Sequence, residues 1–297
     1  MSETPSRFPG EAPPRRTVLV TGGGRRLGAV ICEAFARAGW RVACQYRSSR
    51  GEAEALCARL RAEGLDATAL AADITSEAGR EALVAQAADG APLACVVNNA
   101  SAFEPDGALD FEPEAALRQL GVNLVAPLSL ARLLARQARP GDGLDRSALH
   151  ILDQKVFNLN PDYFSYTVSK LALERAVALQ AQALAPALRV CGVAPGLLFA
   201  SGPQDAANFA RAAGANLLRR PIDPADVARG CLFLAATPSV TGTTLCVDNG
   251  QHLVPTARDI MFVVDDLLKA TALSAAALPP EGAGAAPLPT SPGKNTP

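Results

Sequence analysis

The stretch that most limits what this chain can become is "TVLVTGGGRRLGAVICEAFARAG", Thr17 to Gly39. A short β-branched run is followed at once by a glycine-rich turn. A helical pattern comes next, with Leu27, Val30, Ile31, Ala34, Phe35 and Ala38 repeating along one face. A strand that turns directly into a helix lays that helix on the face of a sheet and sends the chain back to start a parallel strand. Further short apolar runs recur downstream: "RVACQY" (41–46), "ATALAAD" (67–73), "LACVVNN" (93–99), "ALHILD" (148–153), "RVCGVAP" (189–195) and "TTLCVD" (243–248). The segments between the first six strands are long enough for crossover helices. The pattern predicts an α/β fold: a single-domain Rossmann arrangement over 16–255, with a doubly wound seven-stranded parallel sheet. Residues 1–15 and 274–297 are rich in Pro, Ala, Gly and polar residues. They read as a disordered lead and a disordered tail. Residues 256–273, including "TARDIMFVVDDLLKA", are expected to form a C-terminal helix or arm.

The glycine turn points to phosphate chemistry. Such a turn brings backbone N–H groups to a pyrophosphate, and the following helix adds the partial positive charge of its N-terminus. Gly22, Arg25, Arg26, Leu27 and Gly28 are the expected contacts, although two adjacent arginines are unusual in so tight a turn. A site for NAD normally ends its second strand in an acid that holds the ribose 2′-hydroxyl. Here that strand ends "QYRSSR", with no acid before Glu52. Tyr46, Arg47, Ser48 and Ser49 instead suit a 2′-phosphate, with Arg25 approaching from the first loop, so the cofactor predicted is NADPH. Arg47 and Arg50 also read simply as solvated residues at a helix start. Asp73, beside Ile74, is placed to accept from an adenine amino group or to cap the next turn.

The totals exclude other classes. A net charge of −1 leaves no basic excess for nucleic acid. No apolar run reaches the length of a membrane span. The seven cysteines have no CxxC spacing and read as reduced thiols of a cytoplasmic protein. With two histidines, His150 and His252, no His-based metal site is expected.

A second chemical signal is "YTVSK", Tyr166 and Lys170, in a chain with only three tyrosines. Positions four apart share one helix face. An ammonium there lowers the tyrosine pKa and makes it a proton donor near neutral pH. Taken in order, "TGGGRRLG", "NNAS" (98–101), Asn123 in "GVNL", "YTVSK" and "VAPG" (193–196) resemble the short-chain dehydrogenase/reductase family over about residues 16–254. The resemblance implies a nicotinamide cofactor and a homodimer or homotetramer. It implies that Tyr166 donates a proton, that Lys170 orients the ribose and that Asn123 supports a water-linked relay. It also places Asn99, Ala100 and Ser101 along the cofactor, and Pro195 and Gly196 beside the nicotinamide.

One departure is informative. The family usually has a serine thirteen residues before the catalytic tyrosine, and here that position is Asp153 in "HILDQK". An ionised aspartate cannot donate to a carbonyl and repels a developing alkoxide, but it suits a substrate whose reacting atom becomes a protonated nitrogen. Arg26 at a family glycine position and Phe103 in "NNASAF" add to the departure. The combination resembles the pteridine reductase branch, which includes bacterial dihydropteridine and dihydromonapterin reductases. That resemblance implies Phe103 stacked on a pterin, Arg26 at the pyrophosphate and the polar edge of the substrate, and Ser101, Asp153, Tyr166 and Leu197 around the ring. It implies an enzyme that reduces a dihydropterin-type C=N with NADPH. Phe103 also reads as core packing, and Asp153 as the mark of an inactive site. Two rivals remain: a reductase of another carbonyl or imine, and an NADPH-binding protein without turnover. The segment 196–220 is expected to be a loop covering the substrate.

Overall fold

A computed structural model describes residues 16–139, 141–202 and 204–276. The lead at 1–15 and the tail from 277 onward lie outside the described residues. The first units are β1 (Thr17–Val20), α1 (Arg26–Arg37), β2 (Arg41–Tyr46), α2 (Arg50–Ala62) and β3 (Ala67–Ala71). The chain continues through α3 (Glu77–Ala88), β4 (Leu93–Asn98), α4 (Pro113–Leu120), α5 (Ala126–Ala135) and β5 (Ser147–Ile151). It ends with α6 (Phe164–Leu184), β6 (Arg189–Pro195), α7 (Ala206–Ala212), α8 (Pro224–Ala236), β7 (Thr244–Val247) and α9 (Ile260–Ala276). Each strand overlaps its predicted run, and the ends shift by at most two residues.

All seven strands pair in parallel, in the order β3-β2-β1-β4-β5-β6-β7. Because helices cover both faces, the central strands read as continuous apolar runs. Period-2 geometry then divides each strand between two cores. Val18 and Val20 join Ile31 and Phe35 of α1, Leu60 of α2 and Leu234 of α8. Leu19 joins Leu83 of α3, Leu130 and Leu134 of α5 and Ala181 of α6 on the other face. The strand order reverses between β1 and β4, so their C-terminal ends open a crevice in the middle of the sheet.

Local chemistry sets several boundaries. Gly39, at φ +82°, ends α1 in the left-handed conformation that a side chain resists. Ser76 caps α3 by accepting from Gly79 N, and Asp223 caps α8 ahead of Pro224. Between α4 and α5 the chain makes a π turn over Gly121–Val125, a feature that periodicity did not reveal. The expected loop at 196–220 contains a helix, α7, whose cap is the Asp205 side chain accepting from Asn208 N. The C-terminal segment folds against α7: Ala212 and Ala215 pack on Ile260 and Val264. Helix α9 runs to Ala276, three residues past the boundary read from composition.

Phe35 is fully buried and meets Trp40 edge to face at 5.2 Å. Phe35→Ala removes the ring from the core between α1 and the sheet. It is expected to lower the unfolding free energy by about 3–5 kcal/mol in chemical denaturation.

Candidate active site

A cavity of about 820 Å³ occupies the crevice at the C-terminal ends of the strands. That volume is at the upper end for ligand sites. The glycine turn contributes Gly22, Arg25, Arg26, Leu27 and Gly28 to its wall. The end of β2 contributes Tyr46, Arg47, Ser48 and Ser49, and the residues after β3 contribute Asp73 and Ile74. The segment after β4 contributes Asn99, Ala100, Ser101 and Phe103. Asp153, Tyr166, Lys170, Pro195, Gly196 and Leu197 line the other end. Among the site residues expected from sequence, Asn123 is the one set behind this wall.

The turn has the form a pyrophosphate requires. Gly22 sits at φ +61°. A Cβ on Gly28 would collide with the Gly22 carbonyl oxygen and come 2.7 Å from Asn99 Nδ2. The turn is clasped to β4. Thr21 Oγ1 accepts from the backbone N–H groups of Asn99 and Ala100, both at 3.0 Å, and Asn99 Nδ2 donates to Thr21 O at 2.9 Å. Gln45 completes the frame: its Oε1 accepts from Gly22 N at 2.8 Å and its Nε2 donates to Ala72 O at 2.8 Å. Sequence reasoning missed Gln45. The available signal was one amide directly after the apolar residues Val42, Ala43 and Cys44 of a strand, where burial obliges it to find partners.

The two arginines of the turn have different settings. Arg25 is exposed and pairs with Glu52 at 3.4 Å. Arg26 holds φ +51°, a value that favours glycine, so it occupies a glycine-type position with an arginine side chain. Its Nη2 donates to Ala200 O at 2.8 Å and its guanidinium lies 5.1 Å over the Phe199 ring. The turn is thereby linked to the segment after β6. Arg47 and Ser48 are exposed at the cavity edge. Asp73 caps its own turn, accepting from Thr75 N at 2.9 Å and Thr75 Oγ1 at 2.7 Å. These bonds lower its pKa.

At the reacting end, Tyr166 Oη donates to Asp153 Oδ2 at 2.8 Å, and the other carboxylate oxygen accepts from Lys155 N at 2.8 Å. Burial raises the Asp153 pKa, and these two hydrogen bonds offset part of that rise. Lys170 Nζ donates to Ile151 O at 2.8 Å and lies 5.7 Å from the Tyr166 ring centre. Burial pulls its pKa down to about 8, with Asp153 opposing. The expectation that Lys170 lowers the Tyr166 pKa is not met in this arrangement. Burial, then the Asp153 charge and the hydrogen bond to it, push the phenol well above its ordinary value. Asn123 lies in the π turn with its amide fully committed. Oδ1 accepts from Ala102 N at 2.8 Å and Ser101 Oγ at 3.2 Å, and Nδ2 donates to Ala102 O at 2.9 Å and Ser169 Oγ at 3.0 Å. It therefore holds the segment after β4 against α6, and its side chain does not enter the cavity.

Phe103 belongs to an aromatic trio. It stacks on Tyr163 at 4.2 Å and meets Tyr166 edge to face at 4.7 Å. Lys155 and Asp259, which sequence reasoning passed over, also line the cavity, 3.6 Å apart. His150 is buried between Asn98 Nδ2 and Gln180 Oε1, and burial lowers its pKa to about 4, so it is a neutral core residue. Among the described residues no cluster of three or more His, Cys, Asp or Glu could hold a metal ion.

Replacing Arg26 with glycine removes the left-handed strain and the bond to Ala200 together. Arg26→Gly is expected to change the unfolding free energy by less than about 1 kcal/mol. It should also speed hydrogen exchange at Ala200 and Ser201, and unchanged exchange there would show that Arg26 does not hold the segment.

Residues 24–252 match the family model described as enoyl-(acyl carrier protein) reductase. An uncharacterized oxidoreductase of Mycobacterium tuberculosis is 32% identical over 244 residues, covering 79% of this chain and 91% of that protein. Dihydromonapterin reductase of Citrobacter koseri is 28% identical over 239 residues, covering 80% and 96%. The crystal structure of FolM alternative dihydrofolate reductase 1 from Brucella canis, complexed with NADP, is 38% identical. It superposes with a TM-score of 0.74 over 80% of this chain and 94% of that one. With the clasped glycine turn, the Tyr166–Lys170 pair on one helix and a family match that runs from α1 through β7, the chain belongs to the short-chain dehydrogenase/reductase family.

Proposed function

We propose that the protein is an NADPH-dependent pteridine reductase acting on a dihydropterin-type C=N. The observation that carries the reading is the 2.8 Å hydrogen bond between Tyr166 and Asp153, where the family usually has a serine. Two relatives point the same way by name, one as a dihydromonapterin reductase and one as an alternative dihydrofolate reductase with NADP.

The chain's residues fit the cofactor. Gly22 and Gly28 leave room for a pyrophosphate at the start of α1, Arg26 in the same turn would border it, and Arg25, Arg47, Ser48 and Ser49 would supply donors for the 2′-phosphate. Lys170 would hold the nicotinamide ribose, with Pro195 and Gly196 on the same stretch of wall. When bound, NADPH would supply a hydride for the carbon of the C=N. The chain manages the proton. Tyr166 gives its hydroxyl proton to the ring nitrogen. Asp153 in its acid form returns one across their shared hydrogen bond, so C=N becomes CH–NH with charge balanced. A buried carboxyl with a raised pKa is suited to carry that proton. Phe103, backed by the stacked Tyr163 ring and met edge to face by Tyr166, is the ring on which the pterin stacks, and Ser101 and Leu197 border it. Asn123 acts at one remove, by fixing Ser101 and Ala102.

Exposed apolar side chains on neighbouring helices, Leu117, Val125, Val168 and Leu179, support assembly into a homodimer or homotetramer. The seven cysteines are free thiols, which fits the reducing cytoplasm. None of the helices among the described residues is long and apolar enough to cross a membrane.

The direct test is NADPH oxidation with dihydropterins, dihydrofolate and a set of simple ketones. Turnover of a dihydropterin or dihydrofolate with little or none of the ketones is expected. The reverse preference would assign another carbonyl or imine substrate. Tyr166→Phe should lower kcat by about 100-fold or more while NADPH binding persists. Full activity in that variant would overturn the proton-donor role.

A further inference from the structure

The group of charges behind Asp153 is larger than the proposed reaction needs. Lys155 follows Asp153 by two residues, and its ammonium is buried: 4% of the residue is exposed. The Lys155 Nζ donates to the Asp162 carbonyl at 2.6 Å, lies 3.6 Å from Asp259 Oδ2 and sits 5.4 Å over the Tyr163 ring. Asp259 comes from the head of α9, outside the seven-stranded sheet. That head is latched in place. The Asp162 carboxylate accepts from Asp259 N at 2.7 Å and from Arg258 Nε at 2.9 Å, and Met261 Sδ accepts from Tyr163 Oη at 3.6 Å. Tyr163 in turn stacks on Phe103, which touches Tyr166. The C-terminal segment therefore reaches the tyrosine–aspartate pair by a polar route and by an aromatic one.

We propose that Lys155 and Asp259 are positioning residues whose opposed charges set the Asp153–Tyr166 hydrogen bond, which makes the head of α9 a part of the reaction centre. This rests on the reading of Asp153 and Tyr166 as the proton-donating pair. Tyr166 and Lys170 from α6, Lys155 from the turn after β5 and Asp259 from the head of α9 line the same cavity as Asp153, with Tyr166 Oη and Lys155 N bonded to its carboxylate and Lys155 Nζ 3.6 Å from Asp259. Asp162 faces Lys155 from the chain before α6. A buried ammonium favours the ionised carboxylate, and a second carboxylate opposes it. The two residues therefore act on Asp153 with opposite signs. The Lys155 side chain is 5% exposed and that of Asp259 19%, so water screens this pair less than it would a surface pair. A residue that merely packed the site would have no reason to act with a sign.

The test follows the Asp153 carboxyl itself, with no substrate present. The full-length protein is labelled with 13C at aspartate side-chain carboxyls, and the Asp153 signal is identified by its absence in Asp153→Asn. Its titration midpoint is then compared among variants. Lys155→Met should raise the midpoint by about one pH unit and Asp259→Asn should lower it by a similar amount. Lys155→Arg should restore it to within a few tenths of a unit. Midpoints that do not move, or that move in the same direction in Lys155→Met and Asp259→Asn, would overturn the proposal. If Lys155→Met does not fold, Asp259→Asn decides alone, and a midpoint that fails to fall is a refutation. Because this readout needs no turnover, its failure is separate from a failure of the pteridine assay.

Discussion

The structure depends on the clasp between the two central strands. Thr21 and Asn99 exchange hydrogen bonds across the place where strand order reverses, and Gly28 lets the first helix close against them. A parallel sheet opens a crevice at such a reversal, and the clasp gives this one rigid lips. A side chain at position 28 would occupy the space that the Gly22 carbonyl and the Asn99 amide require. The cavity follows from that frame, since β1, β2, β4, β5 and β6 all end on it.

The reacting end has a different physical character. It gathers Asp153, Lys155, Tyr166, Lys170 and Asp259 on one wall, and burial is the first cause of the shifts at Asp153, Tyr166 and Lys170, with neighbouring charges and hydrogen bonds second. Burial raises the carboxyl and lowers the ammonium, which brings those two closer together, while it moves the phenol up, away from the ammonium. Sequence reasoning assigned the lowering of the Tyr166 pKa to Lys170, because spacing alone shows a neighbour four residues away. Spacing does not show that Lys170 is held by Ile151 O, or that the phenol hydrogen-bonds an aspartate.

Much of the site was legible because it is local. The glycine turn, the end of β2 and the Tyr166–Lys170 pair are each read within a few residues, and all of them line the cavity. Arg26 was legible as an anomaly. The structure shows why: an arginine holds a glycine-type backbone because its side chain reaches Ala200 and Phe199. The features that escaped are long-range or irregular. The π turn around Asn123 breaks helical periodicity, and α7 lies in a segment whose composition reads as loop. Gln45 and Asp259 become meaningful only through partners more than twenty residues away.

The sequence by itself determined the alternation of seven strands with helices, the glycine-rich turn and the Tyr166–Lys170 spacing on one helix. Those depend on periodicity, backbone freedom and residue chemistry within short windows. Tertiary structure alone decided which charges surround Asp153, which aromatic faces meet, and that a C-terminal helix outside the sheet borders the cavity. These depend on burial and on contacts between distant segments, and a linear pattern holds neither until the chain has folded.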